Sequence, residues 1–216
     1  ADLFEKAVRL FASAAEEFGK ADGYQYDLCD LVRQALSNRF NTNQKKFAKA
    51  YENRDISAVK EISETQLALL KDLDLLLSHR SEFCLSRWIG DSHRLAADDT
   101  ERKYFDLNAR TLITLWGDMN DTNILHDYAW REWSGLIGEF YYVRWQMFYE
   151  KAVSSLEQGI EFKVHCTEDF AGRAKYIESP FGRSIFDFEK QWVHAYKEYP
   201  YPEDSDVTET ANNLID

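Results

Sequence analysis

Residues 127–157 read DYAWREWSGLIGEFYYVRWQMFYEKAVSSLE, and this stretch decides the fold. It contains no proline, so a helix can run through it unbroken. Tyr128, Trp130, Trp133, Leu136, Ile137, Phe140, Tyr141, Trp145 and Phe148 would make that helix apolar nearly all round. Its length would be roughly 45 Å at the standard rise. A helix greasy on every side belongs at the centre of a bundle. Gly135 and Gly138 weaken a helix, so they are expected where a neighbouring helix approaches closely.

The pattern on either side is helical too. The first 179 residues contain no proline; the only three are Pro180, Pro200 and Pro202. Phe4, Val8, Phe11, Ala15 and Phe18 predict a first helix over residues 2–18, stopped by Gly19 and the Asp22-Gly23 pair. A second is expected over 26–52, with Leu28, Leu31, Ala35 and Leu36 inward. Asp55 reads as the N-cap of a third, striped by Val59, Ile62, Leu69, Leu73 and Leu76. A fourth covers 81–95. Asp98 and Glu101 form a capping box for a fifth, which carries Tyr104, Phe105, Ala109, Leu112 and Trp116 and stops at Gly117. The polar loop 118–123 separates it from the long helix. Residues 160–165 alternate weakly, as a short extended piece would, and 184–197 form a last amphipathic helix. From Glu198 onward there are six acids and no base, which reads as a disordered tail or linker. The expected architecture is therefore all-α: one multi-helix bundle over residues 1–197 with a long, aromatic-rich central helix, and a tail over 198–216.

Composition narrows the partners. With 26 Lys+Arg against 38 Asp+Glu the net charge is −12, which disfavours a nucleic-acid partner that must displace counterions. It equally disfavours an anionic membrane surface. No run of about 18 apolar residues occurs, so no membrane insertion is expected. The opening Ala1-Asp2-Leu3-Phe4 enters a helical pattern without Met, as a processed or excised chain would. Cys29, Cys84 and Cys166 lie far apart without zinc spacing and read as small buried or idle thiols.

Signatures of phosphate binding, zinc proteolysis and serine hydrolysis are absent, as is the Glu-x-x-His pattern of metal bundles. Neither a metal nor a cofactor is expected. Glu132 and Glu139 would share a helix face two turns apart. That is roughly 10 Å, where a glycosidase pair needs about 5 Å or about 6.5–9.5 Å. Salt bridges to Arg131 or Arg144 are the simpler reading. The junction where one helix ends at Trp116-Gly117 and the next opens with Asp127-Tyr128 brings together Trp116, Ile124 and Tyr128. These could be core anchors, or a flat apolar wall for the C–H face of a pyranose.

A set of short strings bears on that choice: Tyr26-Asp27-Leu28, Asp30-Leu31, Arg33-Gln34-Ala35, Phe83 with Trp88, and Asn108 with Arg110. Leu115-Trp116-Gly117, Asn123-Ile124-Leu125, Asp127-Tyr128-Ala129, Gly135-Leu136, Tyr141-Tyr142, Arg144-Trp145 and Phe148 complete it. Together they resemble the C-terminal helical domain of the α-N-acetylglucosaminidase family of glycoside hydrolases, over residues 24–199. The resemblance implies a barrel domain earlier in the same polypeptide. That barrel would carry both catalytic glutamates of a retaining mechanism, leaving no catalytic residue in this chain and no turnover by it alone. It implies a pocket for terminal α-linked N-acetylglucosamine between barrel and helical domain, to which Trp116, Ile124 and Tyr128 contribute. It assigns Arg110 and Arg144 to buried ion pairs, with Asp127 a partner of one of them, and places the protein outside the cytosol: lysosomal, secreted or periplasmic. The loop 118–122 and His126 depart from the family pattern. The competing readings are a stand-alone helical interaction module, which requires Trp116 and Tyr128 to be wholly buried, and a metal- or small-molecule-binding bundle.

Overall fold

A computed structural model describes residues 2–116, 127–162 and 179–215. Within them the regular structure is helical, apart from an isolated bridge between Cys84 and Ser134. The helices are α1 (Asp2–Ala12), α2 (Ala15–Phe18), α3 (Asp22–Glu52), α4 (Ile56–Ser78), α5 (Leu85–Arg94), α6 (Asp99–Ile113), α7 (Tyr142–Gln158), α8 (Pro180–His194) and α9 (Thr208–Ile215). The all-α expectation holds. The chain falls into two compact units interleaved along the sequence. One takes in residues 2–85, 133–142 and 202–215; the other takes in the described residues of 86–132 and 143–201.

The first unit is built on the hairpin of α3 and α4. Leu28, Val32, Ala35 and Leu36 on α3 are buried, as are Val59, Leu73, Leu76 and Leu77 on α4. Arg54 turns the corner with φ +57, and the Asp55 carboxylate accepts the Ala58 N–H at 3.0 Å, capping α4 as its position suggested. Asp22 and Gly23 open α3 rather than ending the helix before it, and the first helix breaks into α1 and α2 at Ser13-Ala14.

The tail expected to be disordered is ordered and packed. Val207, Ala211 and Ile215 repeat every four residues along α9 and its approach, and all three are buried. The acids there act as caps and latches. Asp206 accepts from the Thr208 N–H and from Gln25 Nε2, and Gln25 Oε1 accepts the Val207 N–H at 2.7 Å. His79 meets Ser205 Oγ at 2.8 Å and Thr210 Oγ1 at 2.9 Å, while Arg39 donates to the carbonyls of Leu214 and Ile215.

Burial holds the His79 pKa below its ordinary value, against the opposing pull of Asp206. The folded state therefore binds its proton less readily than the unfolded chain. This contribution to stability is present above about pH 6.5 and is lost as pH falls through that value toward the lower folded pKa. Protection of the amides over residues 205–215, taken relative to their intrinsic exchange at each pH, should fall between pH 7.5 and 5.5. That fall should be absent in His79→Gln.

The expected helix over 127–157 starts later. Gly135 has φ +84, and Ser134 is tied to the α5 entrance: its N–H donates to Phe83 O at 2.7 Å and its carbonyl accepts the Leu85 N–H at 2.9 Å. Helix begins only at Leu136, with a π turn over Ile137–Tyr141 before α7. The close approach expected of the glycines is present. Asp74 on α4 accepts the N–H groups of Gly135 at 2.7 Å and Gly138 at 2.8 Å. Desolvation raises the pKa of that carboxylate, and the two N–H donors pull it back. A Cβ at Gly138 would sit 2.9 Å from Asp74 Oδ2. Gly138→Ala should thus cost about 1–3 kcal/mol of stability, read by chemical denaturation.

Aromatic corner as candidate functional site

The second unit carries the residues singled out by the helix junction. Helix α6 is capped by Asp98, whose carboxylate accepts from Thr100 N and Glu101 N. It ends at Ile113, four residues before Gly117. Thr114 is fully buried, its hydroxyl donating to Arg110 O at 2.8 Å. Trp116 follows with φ +54, its N–H turned back to Thr111 O. The chain is described again from Asp127, whose N–H donates to Thr114 O at 2.9 Å. That bond sets the next residue, Tyr128, beside Trp116. Their ring centroids are 5.2 Å apart and the planes are tilted by 52°. Trp116 is half-buried and Tyr128 is 66% exposed. Ile124 and His126 lie outside the described residues.

The corner is strained. Among the described residues four non-glycine residues have positive φ, and three of them are here: Trp116 (+54), Asp127 (+60) and Trp130 (+44). A left-handed conformation costs an L-residue roughly 1–2 kcal/mol. Such costs persist only where the surroundings impose them, and they gather at functional sites.

The surroundings here are ion pairs. Arg144 Nη1 on α7 meets Asp127 Oδ2 at 2.6 Å, and its Nε meets Glu189 Oε1 on α8 at 3.1 Å. Glu189 is fully buried, on the same face as Ile185, Phe186, Trp192 and Val193. Arg110 is also buried, but its partner is Asp106, one turn back on α6, at 2.8 Å. Asp106 in turn meets His93 Nε2 at 2.9 Å. The Arg110 guanidinium lies over the rings of Trp192 and Tyr199 at 4.7 Å and 5.6 Å. Of the two arginines, Asp127 therefore serves Arg144. A ring ladder completes the support, from Trp145 and Tyr149 on α7 through Phe148 to Phe162 and on to Phe181 on α8.

Sequence reasoning missed Glu189, Asp106 and Trp130. Asp106 was readable as the i−4 neighbour of Arg110. Glu189 was readable as an acid inside the apolar stripe of α8. Glu132 and Glu139 do not share a helix face, because Glu132 precedes the helix and Glu139 lies in the π turn. Cys29 and Cys84 are buried free thiols, and burial pushes Cys29 up to about 12; Cys166 is outside the described residues. No group of three or more metal-ligating side chains comes together among the described residues.

Fold and corner define a class: an all-α domain that presents an aromatic surface at a strained, ion-pair-braced helix junction. The model of the alpha-N-acetylglucosaminidase (NAGLU) C-terminal domain matches residues 1–216. The chain belongs to that family. Human alpha-N-acetylglucosaminidase is 29% identical over 215 residues, covering 99% of this chain and 26% of the human protein. A family 89 glycoside hydrolase from Clostridium perfringens, solved with PUGNAc, is 30% identical. It superposes with a TM-score of 0.81 over 98% of this chain and 23% of its own. A Glu→Gln double variant from the same organism, solved with its substrate GlcNAc-alpha-1,4-galactose, is 31% identical. Its TM-score is 0.79, covering 96% of this chain and 22% of its own. The chain thus spans about a quarter of the relatives it matches.

Proposed function

We propose that this domain walls one side of the sugar pocket in an α-N-acetylglucosaminidase, a retaining glycoside hydrolase that releases terminal α-linked N-acetylglucosamine. Trp116, Ile124 and Tyr128 form the wall. The catalytic glutamates belong to a barrel domain of the same polypeptide, and the protein works outside the cytosol. The observation that carries this reading is the Trp116–Tyr128 pair, held in strained backbone with Tyr128 66% exposed. An ordinary core anchor would be sealed, and the interaction-module reading required both rings to be so. No helix among the described residues is long and apolar enough to cross a membrane.

Two measurements test it. The purified chain should not hydrolyse an aryl α-N-acetylglucosaminide, since the resemblance assigns both glutamates elsewhere; measurable turnover would refute that part. In the whole polypeptide, Trp116→Ala and Tyr128→Ala should each lower kcat/KM on the same substrate. Unchanged values in folded variants would refute the wall.

A further inference from the structure

Helices α1 and α9 are far apart in sequence, yet they pack on each other in the first unit, and both pack on α3. Arg39 of α3 holds the two at once. Its Nε meets Glu5 Oε1 of α1 at 3.0 Å. Its Nη1 and Nη2 donate to the carbonyls of Leu214 and Ile215 at 2.7 Å and 3.2 Å. Those carbonyls end α9, where a helix leaves C=O groups without partners and favours a cation. The C-terminal end of α1 has an anchor of its own. Tyr24 donates its hydroxyl to Phe11 O at 2.9 Å, and the two rings stack with centroids 4.8 Å apart.

The seat of α9 is mostly polar. Val207, Ala211 and Ile215 are the buried side chains of residues 202–215. The rest of the hold is hydrogen bonds. Asp204 accepts the Ser81 N–H at 2.7 Å, Ser205 N–H donates to His79 O at 2.9 Å, and Gln25 accepts the Val207 N–H at 2.7 Å. An isolated helix of eight residues is not stable in water, so α9 leaves its seat by melting. Few buried apolar groups and a short helix place this segment at the low end of local stability.

We propose that residues 202–215 form a detachable strap, that the N-terminal turns of α1 open with it, and that Arg39 is the bolt coupling the two. Closed, the strap seats α9 against α1, α3 and α4. Open, it frees residues 2–9 back to the Tyr24 anchor while the α3–α4 hairpin stays folded. Two segments at opposite ends of the sequence thus open as one cooperative unit, giving proteases access to both without global unfolding.

Hydrogen exchange read by mass spectrometry on the whole polypeptide, at fixed pH, tests this. In the parental protein under mild denaturant, amides of residues 2–9 and 208–215 should share one opening with the same denaturant dependence. Those of residues 59–77 should exchange only on global unfolding. Arg39→Met should raise exchange about tenfold or more in both end segments and leave 59–77 unchanged. Ala211→Leu overpacks the seat of α9 and touches no residue of α1, so it should accelerate residues 2–9 along with 208–215. Acceleration confined to 208–215 in that variant would show that the ends open separately and would overturn the proposal. Equal acceleration of 59–77, or no acceleration in either variant, overturns it too. Different denaturant dependences for the two ends of the parental protein would do the same without any substitution.

Discussion

Trp116→Ala in the complete enzyme is expected to lower kcat/KM for a terminal α-N-acetylglucosaminide by roughly 30-fold, about 2 kcal/mol. The figure is the apolar area that one indole face can share with one sugar, taken at about 25 cal/mol per Å². A ring wall contacts the sugar in the ground state and the transition state alike. The loss should therefore fall mainly on KM, with kcat nearly kept. Substitution by Ala leaves the backbone strain of φ +54 in place. Trp116→Gly removes ring and strain together, so it should fold at least as well as Trp116→Ala and bind sugar as poorly. Steady-state kinetics with a melting curve for each variant decides the matter. A folded Trp116→Ala protein with parental KM would show that the indole serves packing only.

The largest stability effect should come from Arg144→Met. Glu189 is fully buried and Arg144 meets it at 3.1 Å. Removing the guanidinium takes an ion-pair partner from a buried carboxylate and costs up to about 3–5 kcal/mol. It also frees Asp127, which Arg144 holds at 2.6 Å and which sets Tyr128 beside Trp116. The variant should thus lose stability and sugar affinity together. Glu189→Met on the same background should recover most of the stability, because two apolar side chains replace an ion pair at little net cost. It should recover none of the affinity, since Asp127 still lacks its anchor. The double-mutant cycle by chemical denaturation, with KM read in parallel, separates the two. A single Arg144→Met variant within about 0.5 kcal/mol of the parent would mean that Glu189 is satisfied elsewhere.

Helix content was legible because it is written in local terms. The α4 stripe from Val59 to Leu76, the caps at Asp55 and Asp98, and the scarcity of proline act within a few residues of themselves. The misreadings share one cause: a nonlocal partner outweighed a local pattern. Residues 127–135 have the composition of a helix. They do not form one, because Ser134 pairs with the α5 entrance and Asp127 bonds back to Thr114. The end of the chain has the composition of a solvated tail, yet Gln25, His79 and Arg39 turn its polar atoms into latches while Val207, Ala211 and Ile215 are buried.

The sequence alone determined that the chain is helical, that Asp55 and Asp98 cap two of its helices, and that an aromatic pair stands at one junction. The resemblance implied that Arg110 and Arg144 pair with acids. Only the tertiary structure decided which acids those are, where the aromatic helix starts, that the acidic end is packed, and that Tyr128 and Trp130 face solvent. The reason is range. Helix propensity, capping and periodicity act over about four residues, whereas Arg144 finds Glu189 forty-five positions away, and only packing brings such groups within hydrogen-bond reach.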